Sequence, residues 1–209
     1  MHSNPYPGFF IDIEGLDGSG ATTQVNLLRT SLKELGINAF VTKEPTDNVI
    51  GGLVRGALTG VYQLPPEALQ LLFVADRHHH LNRQIIPILQ STSVLISDRF
   101  LWSTIAFGSV DLDRRWLLGL HRYCLLPDLS FFLRISPKVS ISRIKADRFD
   151  VELFEEEKKM WKVWDTYEWL VKRYPEQIVE TDAEQPAEKV AKCILEIVIK
   201  HPKFKRLKK

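Results

Sequence analysis

The chain reads as an α/β fold of three layers, a central parallel sheet of about five strands flanked by helices. Short apolar runs alternate with longer amphipathic ones through all 209 residues. That alternation means parallel strands joined by crossover helices and covered on both faces. No Gly/Ser-rich linker divides the chain and no repeat is visible, so residues 1–209 read as a single domain. The composition, 44% hydrophobic and 26% charged, is that of an ordinary globular protein and excludes bulk disorder.

The elements follow in order. Phe9-Phe10-Ile11-Asp12-Ile13 is a buried strand. Residues 22–35 form a helix, with Val25, Leu28, Leu32 and Leu35 at helical spacing and Gly36 as its stop. A strand at 38–42 and a helix at about 48–58 come next. A long helix starts after Pro65-Pro66 and runs to about 86, with Pro87 near its end. Ser93-Val94-Leu95-Ile96-Ser97 is the clearest β-rich run, and a helix carrying Ser103, Thr104 and Phe107 follows it. Residues 129–133 are a strand, 137–145 a helix, and about 151–173 a long helix. A short strand at 177–181 and a helix at 186–200 close the pattern.

Composition bounds the function. No apolar run approaches the ~18 residues of a membrane span. Met1 to Gly8 lack a basic start followed by an apolar stretch, so no secretory leader is expected. Two cysteines, Cys124 and Cys193, make neither a disulfide framework nor a zinc site, and a cytoplasmic setting fits. Cys193 is expected to be buried and inert. The net charge of +2 hides an asymmetry: residues 200–209 hold six basic side chains, leaving −4 on the rest. A nucleic-acid-binding body is thereby disfavoured, and the basic tail is expected to be solvated and frayed.

After the first strand comes Gly15-Leu16-Asp17-Gly18-Ser19-Gly20-Ala21-Thr22-Thr23, a strand–glycine loop–helix arrangement of the P-loop type. Gly15 and Gly20 stand five apart, so backbone N–H groups can form a nest for phosphate oxygens at a helix N-terminus. Thr22 occupies the position of the Mg²⁺-binding hydroxyl. Position 21, where the pattern has lysine, is alanine. A unit charge ~4 Å from another is worth roughly 4 kcal/mol at an effective dielectric near 20. Uncompensated, that loss slows phosphoryl transfer by about a thousandfold. Either another cation takes over or the donor loop is disabled.

Phe73 and Arg77, four apart on one helix face, pair an aromatic ring with a guanidinium, which suits a flat base. Asp98-Arg99 lies beyond the strongest strand, where parallel sheets bind ligands. The loop together with Lys43-Glu44-Pro45, Leu71-Leu72-Phe73-Val74-Ala75-Asp76-Arg77, Asp98-Arg99-Phe100 and Pro127-Asp128-Leu129 resembles thymidylate kinase over about residues 8–190. Five blocks in register make the resemblance specific. It implies a P-loop kinase fold with a short lid, a homodimer, and transfer from ATP to dTMP with Mg²⁺.

The resemblance also implies roles. Residues Gly15, Leu16, Asp17, Gly18, Ser19, Gly20, Ala21, Thr22 and Thr23 would hold ATP, and Thr22 and Asp98 the metal. Phe73 would stack on thymine and Arg77 would bond its O4. Asp17 would contact the deoxyribose 3′ hydroxyl, Arg55 the dTMP phosphate, and Glu44 would border the acceptor. Arg99 would clamp the phosphates. Ser103, Thr104 and Phe107 would complete the acceptor site. The family's tyrosine at 107, or glutamine just after, is here Phe107-Gly108, which leaves the base's other polar edge to another partner such as Thr104. The lid falls at about 143–152. With glycine at position 18 the chain resembles members whose extra arginine sits in the lid, so Arg143 or Arg148, with Arg99, is expected to supply the charge missing at Ala21.

Other signals weigh less. His78-His79-His80 point about 100° apart along a helix and cannot converge on one ion. Trp161, Trp164 and Tyr167 have the spacing of a packing stripe. Two competing readings remain: a nucleotide-binding pseudokinase acting through a partner, which Ala21 favours, and a kinase for another monophosphate such as dUMP, which Phe107-Gly108 allows.

Overall fold

The computed structural model describes residues 1–147 and 153–207. Five parallel strands form one sheet in the order β2-β3-β1-β4-β5. They are β1 (Phe9–Gly15), β2 (Ala39–Lys43), β3 (Val94–Asp98), β4 (Leu129–Arg134) and β5 (Ile178–Asp182). Helices α1 (Ala21–Glu34), α2 (Val49–Leu58) and α3 (Pro66–His80) come early in the chain. Then come α4 (Ile86–Gln90), α5 (Leu101–Gly108), α6 (Arg114–Leu120), α7 (Pro137–Asp147), α8 (Leu153–Arg173), α9 (Ala187–Lys200) and α10 (Pro202–Leu207). The strands lie within two residues of the expected ranges because each is a short apolar run bounded by turn residues. β1 is central, with Ile13 opposite Asp98 of β3 and Ile11 opposite Leu129 of β4. Its carboxyl end therefore meets the end of β3, where a ligand crevice belongs. Among the described residues no helix is long and apolar enough to cross a membrane.

Three expectations are corrected, and a fourth lies partly outside the described residues. The helix after Pro65-Pro66 does not stop near 86: α3 passes into a π-helical turn, Leu81–Ile85, and on through Pro87 to Gln90. The wider turn admits a proline ring, which has no N–H to give the ladder. The basic tail is tied down rather than frayed up to Leu207. Phe204 is buried with its ring centroid 6.2 Å from that of Phe9, and Lys203 Nζ lies 2.8 Å from Asp128 Oδ1. Of the expected lid, residues 143–147 belong to α7, while 148–152, with Arg148, lie outside the described residues. Cys193 is exposed, since the buried stripe of α9 runs through Val190, Ile194 and Val198.

One core residue works against the fold. Asp12 lies on β1 opposite Ser97 and Ser130, has no exposed surface, and neither carboxyl oxygen has a hydrogen-bond partner. Burial first, and then the Glu14 carboxylate, hold its pKa well above the usual 3.8. The native state thus keeps a proton that the unfolded chain has lost, so stability falls as pH rises from 3.8 toward the folded-state pKa. Burying an unpartnered polar group costs on the order of 2 kcal/mol, and each kcal/mol is worth roughly 2–4 °C in a chain this size. Asp12→Val is expected to raise Tm by about 5 °C at pH 7.5, with a smaller gain below pH 4; calorimetry showing a lower Tm at pH 7.5 contradicts this.

Candidate active site

The loop between β1 and α1 lines a cavity of about 340 Å³ together with Asp98 and Arg99. Its glycines are required by space and backbone. A Cβ on Gly15 would come within 2.6 Å of Ser19 Oγ, and Gly18, at φ +74°, lies under α7 with a Cβ position 3.0 Å from Ser140 O. Helix α7 holds the loop from outside. Ser140 Oγ donates to Asp17 O at 2.6 Å, and Arg143 donates to Gly18 O (3.4 Å) and Ala183 O (3.0 Å). Ala21, 7% exposed, opens α1. Among the described residues Arg99 is the one cation lining this cavity.

Arg99 follows β3 with φ +66°, a left-handed backbone that turns its side chain back over β1. Its Nη2 lies 2.7 Å from Asp17 Oδ1, its Nη1 donates to Gly15 O at 2.8 Å, and its guanidinium stacks over Phe107 at 5.1 Å. Burial alone would lower its pKa. Tyr167, Asp17, Glu14 and Asp98 outweigh that and raise it, so the group stays charged. Thr22 Oγ1 donates to Asp98 Oδ2 at 2.5 Å. A hydroxyl and a carboxylate are hard oxygen donors and fit Mg²⁺, which keeps waters and takes substrate phosphates when a protein offers few ligands.

The support beneath Arg99 was not read from the sequence. Glu14, buried on β1, accepts from Phe100 N (3.0 Å), from Ser103 Oγ and from Tyr167 Oη (3.1 Å). Burial and the Glu14 carboxylate raise the Tyr167 pKa well above 10, which keeps the phenol a donor. Tyr167 is thus both packing and polar; Glu14, an acid inside an apolar strand, was the available signal.

A second cavity, about 480 Å³, adjoins the first and shares Asp17 and Arg99 with it. Glu44, Phe73, Arg77, Ser103, Thr104 and Phe107 all line it. Arg55 does not: α2 turns it toward the preceding loop, where it donates to Pro45 O and Thr46 O and lies 3.3 Å from Asp47 Oδ1. Arg77 is fully buried and held on three sides. It meets Glu44 Oε2 through Nε (2.9 Å) and Nη2 (2.6 Å), Thr104 Oγ1 through Nη2 (2.6 Å), and His121 Nδ1 through Nη1 (3.1 Å). Burial, then the Arg77 charge, press the His121 pKa well below 6.5, leaving a neutral acceptor. Nη1 also lies 3.5 Å from His121 Nε2, so it faces the histidine ring alone while Nε and Nη2 are taken by Glu44 and Thr104. The three histidines diverge, His78 toward Cys124 Sγ (3.9 Å), His79 to Asn48 and His80 to Glu44 and Thr42.

A glycine loop on the central strand, facing a second cavity across a shared arginine and aspartate, defines a P-loop nucleoside monophosphate kinase. The family model described as thymidylate kinase matches residues 13–194, and the chain belongs to that family. Similar proteins include one named "Probable thymidylate kinase" from Thermococcus onnurineus, 37% identical over 176 residues (80% of this chain, 86% of the relative). Another, named "Thymidylate kinase", is from Exiguobacterium and is 31% identical over 201 residues (92% and 94%).

Proposed function

We propose that the chain transfers the γ-phosphoryl group of ATP to dTMP, giving dTDP and ADP, in an Mg²⁺-dependent reaction. The observation that carries this is the junction: Asp17 and Arg99 line both cavities, so two bound nucleotides would meet across one guanidinium. The loop from Gly15 to Thr23 holds the ATP phosphates with backbone N–H groups. Phe73 stacks on the base, and Arg77 Nη1 donates to a 4-oxo group. Phe107 and Ser103 face the sugar side, and Asp17 orients the 3′ hydroxyl. Arg99 spans donor and acceptor phosphates and stabilises the charge that develops between them. Thr22 and Asp98 would hold Mg²⁺, which would supply charge neutralisation on the transferring group when bound.

Arg99, with Arg148 or Arg143 from the segment at 143–152, replaces the charge missing at Ala21. The reading includes a homodimer in the cytoplasm, and exposed Val49 and Leu53 on α2 and Leu71 on α3 support a partner surface. Arg55 remains a candidate for the acceptor phosphate only if its contacts with the 45–47 loop open. With Mg-ATP and a panel of monophosphates, kcat/KM for dTMP is expected to exceed that for dCMP by at least about a hundredfold, since a buried Arg77 donor faces an amino group in cytosine. Equal use of both would remove the acceptor assignment.

A further inference from the structure

Gln70 stands on α3 at i, i+3 and i+7 with Phe73 and Arg77, so the three share one helix face. Its side chain lines the acceptor cavity and is 6% exposed, and its Oε1 is buried without a hydrogen-bond partner. A buried acceptor left open beside a cavity is costly unless a ligand completes it. The amide has this place because position 108 is glycine: a Cβ there would come 2.9 Å from Gln70 Cδ and 3.0 Å from Oε1. Thr104 is already engaged, accepting from Arg77 at 2.6 Å.

We infer that Gln70 reads the N3 edge of the acceptor base, its Oε1 accepting the N3–H of a 4-oxo pyrimidine while Arg77 donates to O4. This rests on the proposed dTMP reading and extends it to a residue on a different turn of α3. Uracil and thymine offer a donor at N3 and an acceptor at O4, the complement of Gln70 and Arg77. Cytosine offers an acceptor at N3 and a donor at the exocyclic nitrogen, mismatching both. The contact is a specificity determinant, remote from the phosphates, so it belongs in acceptor KM rather than in transfer.

The test pairs Gln70→Met, close in size but without the acceptor, with N3-methyl-dTMP, which lacks the proton. The unaltered chain is expected to prefer dTMP over N3-methyl-dTMP by about a hundredfold in kcat/KM, and Gln70→Met to reduce that preference to about tenfold or less. KM for ATP stays within about twofold, because the amide lies away from the donor loop. Gly108→Ala leaves Gln70 in place but displaces its amide, and is expected to raise KM for dTMP by about tenfold. If Gln70→Met does not fold, Gln70→Ala with the same two acceptors decides. An unchanged preference in a folded Gln70 variant overturns the inference. A chain that does not phosphorylate dTMP at all overturns the acceptor reading, and the inference with it.

Discussion

Arg99→Ala is expected to lower kcat/KM for dTMP by about a thousandfold, in the range measured when a phosphoryl-transfer arginine is lost. The side chain contacts the carbonyl of Gly15, the carboxylate of Asp17 and the ring of Phe107, and it borders both cavities. With Ala21 in the loop, no lysine shares its work. Its side chain is partly exposed, and Glu14 keeps Phe100 N, Ser103 and Tyr167 as partners, so the fold is expected to survive the truncation. Arg99→Lys recovers little, because an ammonium cannot make the same paired contacts as a planar guanidinium. Steady-state rates within tenfold of the unaltered chain would remove Arg99 from the phosphoryl path.

The second large effect concerns the missing charge. Arg143 spends its guanidinium on the carbonyls of Gly18 and Ala183, holding the loop from outside. That leaves Arg148 as the better donor-side cation under the proposal. Arg148→Ala is expected to cut kcat by about a thousandfold, the value of one uncompensated charge of roughly 4 kcal/mol. Because the cation acts on developing charge, KM for dTMP is expected to move by less than about threefold. Single-turnover rates unchanged in Arg148→Ala would show that Arg148 is not the substitute, and would turn attention to Arg143.

The parts of the fold that were legible are those whose periodicity is strong and whose ends carry turn residues. β1, the glycine loop and α1 form one such stretch, and β3 with Asp98-Arg99 forms another. Helix α6 was not read: its seven residues, Arg-Arg-Trp-Leu-Leu-Gly-Leu, are too short to show a face. The π-helical turn before Pro87 was hidden because proline statistics predict a stop there. At the site, side chains that line a cavity from one helix, such as Phe73 and Arg77, could be paired by spacing alone. Glu14, Tyr167 and His121 act across 44 to 153 positions of sequence distance, and no local pattern carries such contacts. Arg55 shows the reverse case. The resemblance puts it at the acceptor phosphate, whereas the carbonyls of Pro45 and Thr46 and the Asp47 carboxylate hold its guanidinium.

Under the proposed function, a chain with alanine at the lysine position is a working dTMP kinase whose loop charge comes from elsewhere. The most direct measurement is dTDP formation from Mg-ATP and dTMP by the unaltered chain, beside Ala21→Lys. Clear turnover by the unaltered chain is expected, with Ala21→Lys within about tenfold of it, because a second cation adds little where one already serves. No turnover by the unaltered chain, with activity appearing in Ala21→Lys, would overturn the proposed function and leave an intact acceptor site beside a disabled donor loop.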